Sequence, residues 1–231
     1  VPEALPAVVT VSLAIGVQRM ARRNALVRHL PAVETLGSTS VICSDKTGTL
    51  TRDEMTVRQI GLADSTYEVT GAGYEPTGRF VRAGAAYDAP TAPADLRRLL
   101  QAGVLSSDAH LVQDEVDGQW RVMGDPTEGA LLAAGAKAGL NKVKLDDAFP
   151  RVAEIPFSSE TKRMTTLHQD GAQIVAFTKG APEVVVPRCV ARWTNDGVVP
   201  LTDSQRSDVL QQARSMAGAA LRVLALAERH A

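Results

Sequence analysis

The chain has 231 residues, a formal net charge of -1 and 45% hydrophobic residues, enough apolar material for one or two packed domains and no bias toward disorder. The near-neutral charge excludes a general nucleic-acid binder, and aromatic residues at 4% leave no stacking platform for single strands. Cys43 and Cys189, the only cysteines, lack metal-type spacing and fit a reducing compartment. From Val1 to Val17 the only ionisable residue is Glu3, flanked by Pro2 and Pro6, and Arg19, Arg22, Arg23 and Arg28 follow. A full membrane span needs roughly 20 apolar residues. A basic cluster just after an apolar run marks the cytoplasmic side, whereas a secretory signal puts its charges first. Residues 1–30 therefore read as the cytoplasmic half of a transmembrane helix and a basic stalk.

Residues 31–57 hold a short β-branched strand, Ser40 to Cys43, and the polar motif after it. Residues 58–231 are mixed. Asp117-Gly118 separates His110–Val116 from Gln119–Met123, and Asp170-Gly171 separates Met164–Gln169 from Ala172–Phe177. Both pairs are hairpin signals, the glycine supplying the positive φ of a tight turn. Helices are expected at Ala94–Leu105 and Pro126–Ala138, the second with Asp125 as N-cap, Pro126 in the first turn and Glu128 at the capping-box position. Thr202-Asp203-Ser204-Gln205 has the form of another capped helix start. Gly71–Gly84 and Ala89–Pro93 read as linkers. Hairpins mixed with helices give an α+β layout, an antiparallel sheet with packed helices.

The chemistry sits after the Ser40–Cys43 strand, in Asp45-Lys46-Thr47-Gly48-Thr49-Leu50-Thr51. A carboxylate at the carboxyl end of a strand can attack a phosphoryl group, and it is ionised at neutral pH without a base. Two anions must still meet, so the site needs a metal ion, Lys46 and the N–H groups of the Thr47-Gly48-Thr49 turn. A carboxylate in an apolar helix is costly, which makes Glu3 a candidate site of its own. Pro2 and Pro6 lack N–H groups and so free helix carbonyls as hard oxygen ligands.

Asp45-Lys46-Thr47-Gly48-Thr49 resembles the phosphorylation signature of the P-type ATPases. Pro2-Glu3-Ala4-Leu5-Pro6 resembles their ion-site motif in the fourth membrane helix. Lys179-Gly180-Ala181-Pro182-Glu183 and Leu221-Arg222-Val223-Leu224-Ala225 resemble two motifs of their nucleotide domain, and all four occur in family order. The resemblance implies that residues 31–57 begin a haloacid-dehalogenase-like phosphorylation domain and that residues 58–231 are most of a nucleotide-binding domain. It implies a multi-pass membrane protein that hydrolyses ATP to move a cation, with Asp45 as nucleophile and Lys46 and Thr47 beside it. Asp45 and Thr47 would hold Mg2+, and Glu3 and the Val1 carbonyl would hold the transported cation. The Pro-Glu-Ala-Leu-Pro form is similar to that of calcium-type pumps, and oxygen ligands suit hard cations such as Ca2+.

No Gly-x-x-x-x-Gly-Lys-Ser/Thr loop is present, which excludes a P-loop site for ATP. By resemblance, Phe157 stacks on adenine, Met164 lines the slot and Glu128 bonds near the base. Lys162 and Lys179 lie along the nucleotide, Gly180 lets the backbone approach and Arg222 reaches the phosphates. One aromatic face, one orienting polar group and several cations suit a purine polyanion. The sequence departs from the family at Ser159, where calcium pumps often carry arginine. Family members continue past the part matched here with the carboxylates that complete the Mg2+ site. This stretch alone is therefore expected to bind nucleotide and to form little phospho-enzyme. Two other readings are a nucleotide-binding module without catalysis and a haloacid-dehalogenase-type phosphatase. The phosphatases usually carry a second aspartate where Thr47 stands, and Thr47 favours a long-lived acyl phosphate.

Overall fold

The structure is a computed structural model that describes residues 4–51, 54–62, 65–89 and 91–230, with Thr47 described by its backbone alone. Val1 and Glu3, the residues expected to hold a transported cation, lie outside the described residues. The chain divides into two units, Val1–Arg52 and Asp53–Ala231.

In the first unit, helix α1 (Leu5–Ala21) carries Pro6 in its first turn, where a missing N–H is tolerated. None of its residues is buried. Among the described residues no helix is long and apolar enough to cross a membrane. Helix α2 (Ala32–Gly37) follows, and Val33 packs against Gly16 of α1. The strand expected at Ser40–Cys43 does not form, and Val41 and Ile42 are exposed. β-branched residues suit a strand only where a second strand completes the ladder. The described part of this unit contains no strand to do so. A single wide helical turn, Lys46–Leu50, closes with the Thr51 N–H donating to the Lys46 carbonyl at 3.2 Å.

The second unit has the expected α+β layout. Strands β1 (Gln59–Leu62), β2 (Ser65–Val69), β3 (Phe80–Arg82) and β4 (Ala85–Tyr87) form an antiparallel meander. Helix α3 (Ala94–Leu105) leads to the hairpin of β5 (His110–Gln113) and β6 (Trp120–Met123), then to α4 (Pro126–Lys137) and α5 (Lys142–Ala148). Strands β7 (Arg151–Ser158), β8 (Arg163–Asp170) and β9 (Gln173–Gly180) follow, then α6 (Pro182–Val185), the hairpin β10 (Ala191–Thr194) and β11 (Gly197–Pro200), α7 (Asp203–Gly218) and β12 (Ala225–His230). The larger sheet runs β12-β9-β8-β7, antiparallel throughout.

Helix α3 is the hub. Its Leu96 and Leu100 pack with Tyr67, Val69 and Phe80 of the meander and with Ala134 of α4. Its Ala102 and Leu105 pack with Val175 and Phe177 of the larger sheet. Its Val104 packs with Leu132 of α4 and with Ala109 beside the β5–β6 hairpin. Fully burying each Leu or Phe contributes about 1.5–3 kcal/mol. The expected linker Gly71–Gly84 is corrected, while the described residues of Ala89–Pro93 connect β4 to α3 as expected. Phe80 inside Gly71–Gly84 is completely buried, and the Lys137 ammonium donates to the Thr70 carbonyl at 2.7 Å beside it. The Ala89 carbonyl accepts from Arg97 at 3.0 Å. Within Gly71–Gly84 the glycines mark turns of a meander whose Ile60, Tyr67, Val69 and Phe80 are buried.

Candidate functional site

Antiparallel register builds the site at one end of the larger sheet. On β7 and β8, Ile155 pairs with Thr165 and Ser158 with Arg163, so Pro156 and Phe157 together oppose the single residue Met164. This bulge re-aims the chain at an edge strand, as bulges do beside sites. Met164 in turn pairs with Lys179 on β9, and Lys179 with Leu226 on β12. Phe157, Met164 and Lys179 therefore lie side by side across three strands. Phe157 is 63% exposed, an open aromatic face, while Met164 is 4% exposed and Lys179 8%.

A buried ammonium requires partners. Lys179 donates to the Ser106 carbonyl at 2.5 Å and to the Glu128 carboxylate. The second oxygen of Glu128 accepts the N–H groups of Asp108 and Ala109, each at 2.8 Å. Glu128 is thus brought from the first turn of α4 to the sheet end. It does not return a capping bond to its own helix. Asp125 caps that helix alone, accepting from the Thr127 and Glu128 N–H groups at 2.8 and 3.2 Å. Burial pushes the Asp125 carboxyl upward, but those donors and the Arg222 charge outweigh it and hold it below the usual range.

Gly180 allows a close approach, and the backbone that approaches is the protein's own. A Cβ on Gly180 would stand 2.6 Å from the Lys162 carbonyl and from Arg163 Cβ. That carbonyl accepts from the Ala181 N–H at 2.9 Å. Lys162 sits in the turn between β7 and β8 with φ of 49°, a left-handed conformation unusual for a long side chain. Its ammonium lies 3.5 Å from Glu183, and both side chains are more than half exposed. Arg222 lies in the segment leading into β12. It lines a largely apolar cavity of about 340 Å³ that also touches Thr127, Leu131 and Leu226.

In the other unit, Asp45 is exposed and extended, at the start of the Lys46–Leu50 turn, and Lys46 is also exposed. Among the described residues no three His, Cys, Asp or Glu side chains are grouped to hold a metal ion. Asp45 and Thr47 do not make a six-ligand Mg2+ cage on their own. Sequence reasoning missed the Leu105–Ala109 loop, which joins Lys179 to Glu128. Nothing in Ser106-Ser107-Asp108 marks its backbone groups as partners of a buried ion pair.

The family model described as P-type ATPase, cytoplasmic domain N, matches residues 95–231. The chain belongs to the P-type ATPase family. This P-type ATPase chain is 47% identical over 97% of its length to a probable cation-transporting ATPase F of Mycobacterium tuberculosis, covering 24% of that relative. It is 44% identical to the human calcium-transporting ATPase type 2C member 1, over 98% of this chain and 24% of the relative. It is 39% identical to a calcium-transporting ATPase of Bacillus subtilis, over 99% of this chain and 26% of the relative. The chain spans about a quarter of the length of these relatives.

Proposed function

We propose that the chain is the nucleotide-binding part, with the phosphorylated aspartate, of a membrane pump that hydrolyses ATP to move a cation. The alignment of exposed Phe157, buried Met164 and the Lys179–Glu128 pair across one sheet end carries this reading. An adenine ring stacks on the Phe157 face, Met164 forms the apolar floor and Glu128 meets polar groups of the base. Lys162, an exposed cation in the turn at the sheet end, and Arg222 serve the phosphates. Lys179 holds Glu128 and adds positive potential from beneath. Mg2+ enters with the nucleotide phosphates, since it keeps waters and phosphate oxygens as ligands where a protein offers few carboxylates.

Ca2+ is the cargo this reading favours, because two of the similar proteins are named calcium-transporting and Glu3 supplies a hard oxygen ligand. Asp45 takes the phosphoryl group as an aspartyl phosphate in the whole pump. Two measurements test the proposal. Calorimetric titration of this chain with ATP should give an affinity that falls about tenfold in Phe157→Ala, the loss expected for about 1–2 kcal/mol of stacking. An unchanged affinity removes Phe157 from the site. In the full-length pump, Asp45→Asn should abolish Ca2+-dependent ATP hydrolysis, and retained turnover would remove Asp45 as nucleophile.

A further inference from the structure

The Leu105–Ala109 loop is held far more firmly than a helix-to-strand connection requires. The last carbonyls of a helix lack intrahelical donors and form its negative pole. Here cations from three elements take the carbonyl of the last helical residue, Leu105, and those of the two loop residues after it. Arg151 of β7 donates to the Leu105 and Ser107 carbonyls, each at 3.1 Å, Lys142 of α5 to the Ser107 carbonyl at 3.0 Å and Lys179 of β9 to the Ser106 carbonyl at 2.5 Å. Arg151 also grips the loop by its side chain, donating to Asp108 Oδ1 at 2.5 Å, and braces itself on Glu154 at 2.9 Å. One planar guanidinium reaches all these acceptors at once, which a lysine ammonium cannot.

The fixed loop ends in the Asp108 and Ala109 N–H groups that hold Oε2 of Glu128. A carboxylate offers about four acceptor positions. Two amides and Lys179 use three, which leaves one on Oε1. A free acceptor there binds the 6-amino group of adenine and repels the 6-oxo group of hypoxanthine.

We propose that Arg151 is a positioning residue for base selection: by fixing the Leu105–Ala109 loop it sets where the Glu128 carboxylate stands, and so how strongly the site prefers a 6-amino over a 6-oxo purine. This rests on the reading that Glu128 faces the base of a bound nucleotide.

The test compares ATP with inosine triphosphate, titrated calorimetrically into the wild-type chain, Arg151→Met, Arg151→Lys and Asp108→Asn. Thermal melts confirm that each variant is folded at the titration temperature. The wild type should prefer ATP. Arg151→Met should narrow that preference by about three- to tenfold, part of a charge-assisted hydrogen bond, while inosine triphosphate binds nearly as before. Arg151→Lys should recover part of the preference. Asp108→Asn keeps the loop amides but weakens the Arg151 grip, so it should shift the ratio in the same direction and replaces Arg151→Met if that variant unfolds. Equal weakening of both nucleotides, or an unchanged ratio, overturns the positioning role. A wild type that binds both equally overturns it while leaving the nucleotide site intact. A wild type that binds neither overturns the nucleotide site itself.

Discussion

Glu128 stands at the third position of α4, where a capping box would turn its carboxylate back onto its own helix. Asp125 already satisfies the first-turn N–H groups, which leaves Glu128 free to cross to the sheet. The sequence pattern holds both uses, and only the position of the Leu105–Ala109 loop decides between them. Lys179 is similar. The motif around it marked it as a site residue, but not that its charge is consumed within the protein. His168 was invisible to sequence reasoning. It is completely buried, with Nδ1 2.8 Å from the Phe149 carbonyl and Nε2 3.0 Å from the Thr166 hydroxyl. The carbonyl can only accept, so Nδ1 carries a proton. Burial lowers the His168 pKa and the Arg151 charge lowers it further, against the opposing Phe149 and Leu105 bonds and the Asp146 charge. A histidine whose folded pKa lies below its unfolded value of about 6.5 favours the fold when neutral. That stability is present above about pH 6.5 and is lost as pH falls through the folded pKa. Urea midpoints should therefore decline between about pH 6.5 and 5, above the range of ordinary carboxylates. His168→Asn should lower stability at neutral pH yet flatten this decline. An equally steep decline in the variant would assign the acid sensitivity to other groups.

At the scale of elements, local chemistry was legible and supporting contacts were not. Helix α3 runs over Ala94–Leu105 as expected, and α7 opens with a complete Thr202–Gln205 capping box. Both hairpins form, with their turns displaced from the Asp-Gly pairs. In the first, β5 ends at Gln113 rather than Val116, because Asp114 Oδ1 accepts the Val116 N–H at 2.8 Å and bends the chain early. In the second, Asp170 pairs with Gln173, so the loop is Gly171-Ala172 with Gly171 alone at positive φ. Glycine at the first of two loop positions is the II′ arrangement, which fits the strand twist as well as Asp-Gly would. The Ser40–Cys43 strand and the Gly71–Gly84 linker failed for one reason. A strand's existence depends on partners distant in sequence, which composition does not encode. Val41 and Ile42 lack a ladder among the described residues, whereas the three-residue strands β3 and β4 have one.

At the scale of the molecule, the unit from Asp53 to Ala231 gathers three apolar clusters, and α3 contributes to each. One helix shared by every cluster gives none of them a separate lifetime. Loss of α3 from the meander removes Leu96 and Leu100 from one cluster and displaces Ala102, Leu105 and Val104 from the other two. The unit should therefore unfold as one cooperative body rather than sheet by sheet. Two tryptophans report from different places. Trp120 lies on β6 of the small hairpin, and Trp193 lies on β10, where its indole donates to Glu228 at 2.7 Å. Single-tryptophan variants, Trp120→Phe and Trp193→Phe, let each place be followed alone by fluorescence in urea. The lesion is set apart from both probes, at Leu96, which is completely buried against the meander. Leu96→Ala should cost about 2–5 kcal/mol. With a urea slope of about 2 kcal/mol per molar, both midpoints should fall together by roughly 1–2.5 M. If the Trp120 midpoint fell while the Trp193 midpoint stayed, the larger sheet would be stable without α3. The sheet end where Glu128 of α4 meets Lys179 of β9 would then lose its carboxylate before its strands.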